Sequence, residues 1–196
     1  MLGGGPSLEG FDCKPLHRLG WLLAINSSFK LAPYCDAVFF TDTTWWSGSW
    51  VPGGKPRKVE LKRSGALLVT TSRAVKRDAP DHVKRVAAAM GVPFRAGQGP
   101  IRLGRSSGHT GVSLAAAFGA KRIILLGFDM KRDQNGRSHH HNEYASVNDK
   151  LYSHDFVPSF NGWNKIAVKA GIEILNATPG TALKEFPLIK IEEVLK

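Results

Sequence analysis

The residues best suited to chemistry fall in two small-residue runs and three acid or amide positions. Ser106-Ser107-Gly108-His109-Thr110-Gly111 reads as a turn opening a helix. Such a turn exposes unpaired backbone N–H groups, and the helix dipole adds positive potential, so phosphates are favoured there. Gly3-Gly4-Gly5-Pro6-Ser7-Leu8 is the second run. Its glycines let the backbone approach a ligand closely, and Ser7 can cap a helix or hydrogen-bond a phosphate. Asn26, Asp42 and Asp129 each close an apolar run.

The elements that must position these residues read as alternating strands and helices. Gly20 to Asn26, Asp36 to Asp42, Leu67 to Ser72, Ile123 to Leu126 and Ile172 to Leu175 have strand character. Helices are expected after Ser106, over Asp81 to Met90 before Gly91, and over Gly162 to Ala170 before Gly171. Asn176 to Gly180 is a turn, and Ile189 to Leu195 a short surface helix or strand. Ala115, Ala116 and Ala117 let the central helix lie close to a sheet. Ile123 to Leu126 is apolar throughout, as in a strand covered on both faces. The pattern predicts an α/β fold: one Rossmann-like domain over residues 1–196, its sheet mostly parallel, with helices on both faces. In such a sheet Asn26, Asp42 and Asp129 converge on the edge where ligands bind. An ordinary core unit, its Asp only capping a turn, would read the same from the Ser106–Met130 stretch alone. Only Met1 and Leu2 precede the glycine-rich loop, which normally follows a strand. Either that strand is nearly absent or the native chain begins upstream.

Two regions are irregular. Thr43 to Gly54 sets Trp45, Trp46 and Trp50 among Ser and Gly; exposed there they would stack on a sugar or base ring, and otherwise they pin the loop. Lys131 to Phe160 has almost no apolar periodicity, and loops of that length are usually lids or binding segments. It holds His139, His140, His141, Tyr144, Tyr152 and His154. Adjacent histidines rarely all reach one ion, and acid–base work suits an imidazole titrating near ~6.5. His154 and His139 are the candidates for that role, with Tyr144 and Tyr152 as donors to a phosphate or leaving group. No GxxxxGK[ST] loop, G-x-S-x-G elbow, kinase signature or zinc-finger spacing occurs.

Composition sets the limits. The 196 residues are 42% hydrophobic and 22% charged, as in a soluble globular chain long enough for a real core. No apolar run approaches the ~20 residues of a membrane span. No basic-then-apolar leader opens the chain, which predicts a cytoplasmic protein. Cys13 and Cys35 lack paired spacing, against a disulfide scaffold or a cysteine zinc site, and are expected to be buried. A net charge of +11 attracts anionic partners, nucleotides and nucleic acid among them, or else reflects a solvated basic face. A homo-oligomer is compatible with all of this.

The order Gly3-Gly4-Gly5-Pro6-Ser7-Leu8, Asn26, Ser107-Gly108, Leu126-Gly127-Phe128-Asp129 and Thr178-Pro179-Gly180 resembles one superfamily. It contains the MptE-like 6-hydroxymethylpterin diphosphokinases, the motility-accessory flagellin glycosyltransferases and the bacterial lipooligosaccharide sialyltransferases. Small phage-encoded members, with Leu-Leu-Gly-Tyr-Asp-Met and Thr-Pro-Gly-Ser-Ala-Leu segments, are the most similar, which would place the chain in a bacterial host. The sialyltransferase resemblance implies a CMP- or UDP-type nucleotide-sugar donor held by Gly3, Gly5, Ser7, Asn26, Ser107 and Gly108. Gly4 and Thr110 lie in the same turns and are expected to take part. The family's second sugar-contacting Asn is Asp42 here, a departure. His154 falls near the family's catalytic His, and Tyr144 and Tyr152 near its paired tyrosines. The diphosphokinase resemblance implies ATP and magnesium instead, with Asp42 and Asp129 holding the cation between phosphates. The expectation is a transferase using a nucleotide-activated donor, foremost a glycosyltransferase acting on a small-molecule, glycan or modified-base acceptor. The alternatives are the diphosphotransferase and a non-catalytic nucleotide- or nucleic-acid-binding phage protein.

Overall fold

The computed structural model describes every residue except 50–53, 55, 58, 59, 62–64, 78–82, 144 and 196. Trp50, Tyr144 and the first two residues of the helix expected at Asp81 therefore lie outside the described residues. Strands β1 (Leu23–Ile25), β2 (Ala37–Phe40), β3 (Leu67–Thr70) and β4 (Val83–Arg85) pair in that order, all parallel. β5 (Ala88–Ala89) pairs in parallel with β6 (Ile101–Arg102), and β7 (Arg122–Leu125) with β8 (Glu173–Asn176).

Leu2 joins the β1 side to the β7 side. It bridges in parallel to Ala24 on one flank and Leu126 on the other. Its N–H donates to Leu23 O at 2.8 Å, its carbonyl accepts Ile25 N, and Gly3 N reaches Leu126 O at 2.8 Å. One residue thus fills the strand position expected ahead of the glycine-rich loop. The chain moves outward from it to β1 in one direction and returns to β7 in the other. Open α/β sheets bind ligands where strand order reverses in this way.

Alternate strand residues feed two cores. Ile25, Ala37, Phe39 and Val69 pack with helices α2 (Ser107–Ala117) and α4 (Trp163–Lys169), through Val112, Ala116, Trp163 and Ala167. Ala24, Val38, Phe40 and Leu68 pack on the opposite face. Their partners there are the 3-10 turns Pro6–Leu8, Lys14–Arg18 and Asn26–Lys30, with α1 (Thr43–Ser47) and α5 (Ile191–Val194). A strand period of two sorts neighbours to opposite faces. The result is mixed α/β with a parallel sheet covered on both sides. No described helix is long and apolar enough to cross a membrane. Cys13 and Cys35 are buried free thiols, and burial pushes both pKa values up to about 11.

Two expectations need correction, and one open reading is decided. The helix anticipated over Asp81 to Met90 is extended from Val83: β4 pairs with β3, and Val86 N donates to Thr70 O at 2.9 Å. An open edge on β3 draws Val83 and Val86 into a ladder that overrides the helical spacing of the segment. Of the two readings of the tryptophan loop, the anchoring one holds: Trp45 and Trp46 are core residues, 2% and 5% exposed. They sit in α1, where Trp46 stacks on Phe40 at 5.2 Å and Trp45 packs against Phe40 and Phe29. The end of the 131–160 segment is not irregular: 149–159 is helical (α3), with a π-helical turn at Tyr152–Phe156.

Candidate functional site

A cleft of about 300 Å³ opens at the C-terminal edge of the sheet. Its walls are the glycine-rich loop, Asn26, Thr41-Asp42, the Leu103–Gly108 turn and the Phe128–Met130 segment. Ser138, His139, Tyr152 and Phe156 close it from the 131–160 segment.

The glycine-rich loop is zipped to the chain leaving β7. Gly5 N donates to Gly127 O at 2.9 Å, while Ser7 N and Ser7 Oγ donate to the two Asp129 carboxylate oxygens at 2.9 and 2.8 Å. A Cβ at Gly3 would lie 2.4 Å from Gly127 O, and one at Gly5 only 1.8 Å from Asp129 Oδ2. These two glycines are therefore required by the approach of the chains. Gly4 has no such constraint; its carbonyl accepts His140 N at 3.1 Å, and its N–H has no hydrogen-bond partner among the described residues. Burial raises the Asp129 pKa, with the two Ser7 bonds opposing that rise. Thr178 and Thr181 brace the same segment, Thr178 Oγ1 accepting Phe128 N and Thr181 Oγ1 donating to Phe128 O.

Helix α2 presents its first turn to the cleft. Ser106 caps it, its Oγ accepting His109 N at 3.1 Å. Ser107 and Gly108 then stand where N–H groups have no intrahelical acceptor. Gly111 sits against Ile25, where a Cβ would come within 2.7 Å, so the helix lies close on the sheet. Thr110 is fully buried, and its Oγ1 accepts Gly104 N at 3.0 Å, shaping the turn before the helix. Ser107 Oγ and Thr41 Oγ1 are 2.6 Å apart and each lies 3.3 Å from Asp42 Oδ2, so one hydroxyl donates to the other and the second to the carboxylate.

Asn26 sits on the cleft wall in a left-handed conformation (φ 50°), and its Oδ1 is enclosed without a hydrogen-bond partner among the described residues. A buried acceptor left unmade costs about 1–3 kcal/mol, so a donor that reaches this atom is favoured.

The histidines separate. His139 borders the cleft half-buried, and burial lowers its pKa to about 4, so it is neutral near pH 7. His154 is exposed on α3, its Nδ1 near Lys150 O and Ser153 Oγ, and it does not line the cleft. Tyr152 does line it, donating to Ser138 O at 3.4 Å, with a pKa raised by burial. The structure thus brings together Gly3, Gly4, Gly5, Asn26, Asp42, Ser107, Gly108, Thr110, Asp129, His139 and Tyr152. Ser7 stands behind this wall, holding Asp129.

Two residues that support the site carry no sequence signal of their own. His109 is 3% exposed, packs on Trp163 and Phe160 with ring centroids 3.7 and 4.1 Å away, and accepts Arg105 N at Nδ1. Burial, aided by Arg102, pushes its pKa down to about 3. Glu143 accepts from Ser27 Oγ at 2.6 Å and Arg57 Nη2 at 2.7 Å and pairs with Lys30. Burial alone would raise its pKa; the hydrogen bonds from Lys30 and Ser27 and the charges of Arg57 and Lys30 hold it below the ordinary value. Only the fold reveals these partners, which lie 86 to 116 positions away. Among the described residues, no group of three His, Cys, Asp or Glu side chains is arranged to hold a metal ion. No protein-family model matches the chain, and neither a curated protein nor a solved structure matches it.

Proposed function

We propose that this chain is a single Rossmann-like domain that binds a nucleotide-activated donor and transfers a group from it, with glycosyl transfer the favoured reaction. The observation that carries the reading is the meeting, at the strand-order reversal beside Leu2, of three unsatisfied polar features: the Gly4 amide, the first turn of α2 and the enclosed Asn26 Oδ1. Amides at a loop and a helix start suit phosphate oxygens, and a lone acceptor suits an N–H or O–H of the nucleoside or sugar. A nucleotide-linked sugar supplies an anionic phosphate leaving group, which these amides would stabilise as its charge develops.

Neutral His139, bordering the cleft, would take the proton from an acceptor hydroxyl as its oxygen bonds to the sugar carbon. The carbon–oxygen bond to the phosphate breaks with its electron pair on the phosphate. Tyr152, kept protonated by its raised pKa, can donate to that oxygen. Magnesium-dependent diphosphotransfer would need Asp42 and Asp129 to share a cation. Both Asp129 oxygens already accept from Ser7, which favours the glycosyl reading.

A thermal-shift screen with CMP, UDP, GDP and ATP, each with and without magnesium, tests this. Ligand at 100 times its Kd adds about 2.7 kcal/mol. In a chain of this size that raises Tm by roughly 5–10 °C. CMP or UDP is expected to give that rise. A response confined to ATP with magnesium would overturn glycosyl transfer, and silence to all four would overturn the donor site. Asn26→Gly keeps the left-handed backbone while deleting the enclosed acceptor. It is expected to leave the unliganded Tm nearly unchanged and to remove most of the nucleotide response.

The base is tested by release of free nucleotide from the sugar donor that the screen selects. His139→Ala is expected to slow turnover at least ~100-fold, the lower end for a general base, with nucleotide affinity retained. His154→Ala is expected to leave turnover near wild type. The reverse pattern would move the base to His154.

A further inference from the structure

We propose that the C-terminal edge of β3 and β4 is a docking surface for a nucleic-acid strand, which it holds through the phosphates. The charge of the chain is segregated. Between Asp81 and Asp129 there is no Asp or Glu, yet the interval holds seven Lys and Arg. Four arginines elsewhere are held by carboxylates: Arg57 by Glu60 and Glu143, Arg122 by Glu173, Arg132 by Asp149, Arg137 by Glu9 and Asp133. Arg73, Lys84 and Arg85 are exposed and take part in no ion pair among the described residues.

The fold brings these three to the C-terminal end of the outer strands of the four-stranded sheet. Arg85 pairs in register with Thr70 at the end of β3, Lys84 with Val69, and Arg73 follows three residues beyond Thr70. β4 is the outer strand of its sheet, and Lys84 and Arg85 alternate to its two faces, so both stand exposed at the C-terminal end of that edge. The rim continues to the cleft on both sides. Ser72 Oγ hydrogen-bonds Thr43 Oγ1 at 2.8 Å, next to Asp42. On the other side β4 runs on into β5, whose partner strand β6 leads to Arg105 on the cleft wall. Arg105 meets Asp155 only at 3.3 Å, with 63% of its side chain exposed. Unpaired arginines and lysines spaced along one edge are the electrostatic footprint of phosphate-backbone binding, which needs no base-specific contact. A small anion would engage one or two of these cations; a strand engages them all and gains from each.

This surface stands apart from the donor reading, because strand binding is measured with no nucleotide present. Fluorescence anisotropy of a labelled 20-nucleotide single strand, with a duplex of the same sequence as a second arm, is followed from 50 to 200 mM salt. Four phosphate contacts give a log–log salt slope near ~−3 for a single strand. Arg73→Gln/Lys84→Gln/Arg85→Gln is expected to weaken binding at least tenfold and to cut the slope by about 2. Lys165→Gln/Lys169→Gln/Lys184→Gln, which removes three exposed cations elsewhere in the chain, controls for net charge and should change affinity less than threefold. Equal losses in the two variants, or no binding of either arm at 50 mM salt, would overturn the proposal. Both variants should keep the wild-type Tm and its nucleotide response, so a failed donor site and a failed rim are told apart.

Discussion

Gly5→Ala is expected to lower Tm by roughly 6–12 °C, corresponding to about 3 kcal/mol of overpacking in a domain of this size. The added methyl would lie 1.8 Å from Asp129 Oδ2 and 2.7 Å from Gly127 O. Neither atom is the loose end of a flexible chain. Asp129 is 5% exposed and clasped by Ser7, and Gly127 O is backbone bonded to Gly5 itself. The loop must therefore lift from the β7 exit, which also displaces the Gly4 amide from the cleft. Asp129→Ala in the same chain removes the nearer clash and leaves the Gly127 one. The double variant should then be less destabilised than the two single losses added together, a coupling that chemical denaturation measures directly. Strict additivity would mean that the loop and Asp129 do not press on one another.

Acid is expected to destabilise the fold well before carboxylates titrate fully. An unfolded histidine takes up its proton near ~6.5. His109 does so in the folded chain only near about 3, and His139 and His141 are likewise held low by burial. Between those values the unfolded chain binds more protons, so stability is full above about pH 6.5 and falls as pH drops. At pH 4, His109 alone accounts for a loss of about 3 kcal/mol. His109→Gln keeps an acceptor for Arg105 N while removing the titration. Urea melts between pH 6.5 and 4 should show a slope shallower by up to about 1.4 kcal/mol per pH unit in that variant. An unchanged slope would show that His109 titrates in the folded chain much as it does in the unfolded one.

Much of the site was legible from residue order. Gly3, Gly5 and Gly127 are glycines because two chains meet there, and small-residue runs flanked by strands announce such places. Asn26, Asp42 and Asp129 do end their strands on one edge, since parallel pairing brings every strand C-terminus to the same side. The strand over Ala37 to Phe40 was equally plain, since all four residues are apolar and all four are buried. The failures were failures of context. Trp45 and Trp46 sit among Ser and Gly, which left a ligand-stacking and an anchoring role equally open, and only Phe40 on the sheet decides for the anchor. Val83 to Ala89 had helical spacing, but an unfilled sheet edge outweighs local preference.

Local sequence determined which backbone stretches could approach one another and which residues would stand at the sheet edge, because glycine sterics and strand periodicity act over a few residues. Tertiary structure alone decided how those residues divide their work. Asp129 is occupied with Ser7, His139 faces the cleft while His154 does not, and Glu143 ties the 131–160 segment to Ser27, Lys30 and Arg57. A side chain's partners come from far along the chain, and burial, which sets its charge, is a property of the packed whole.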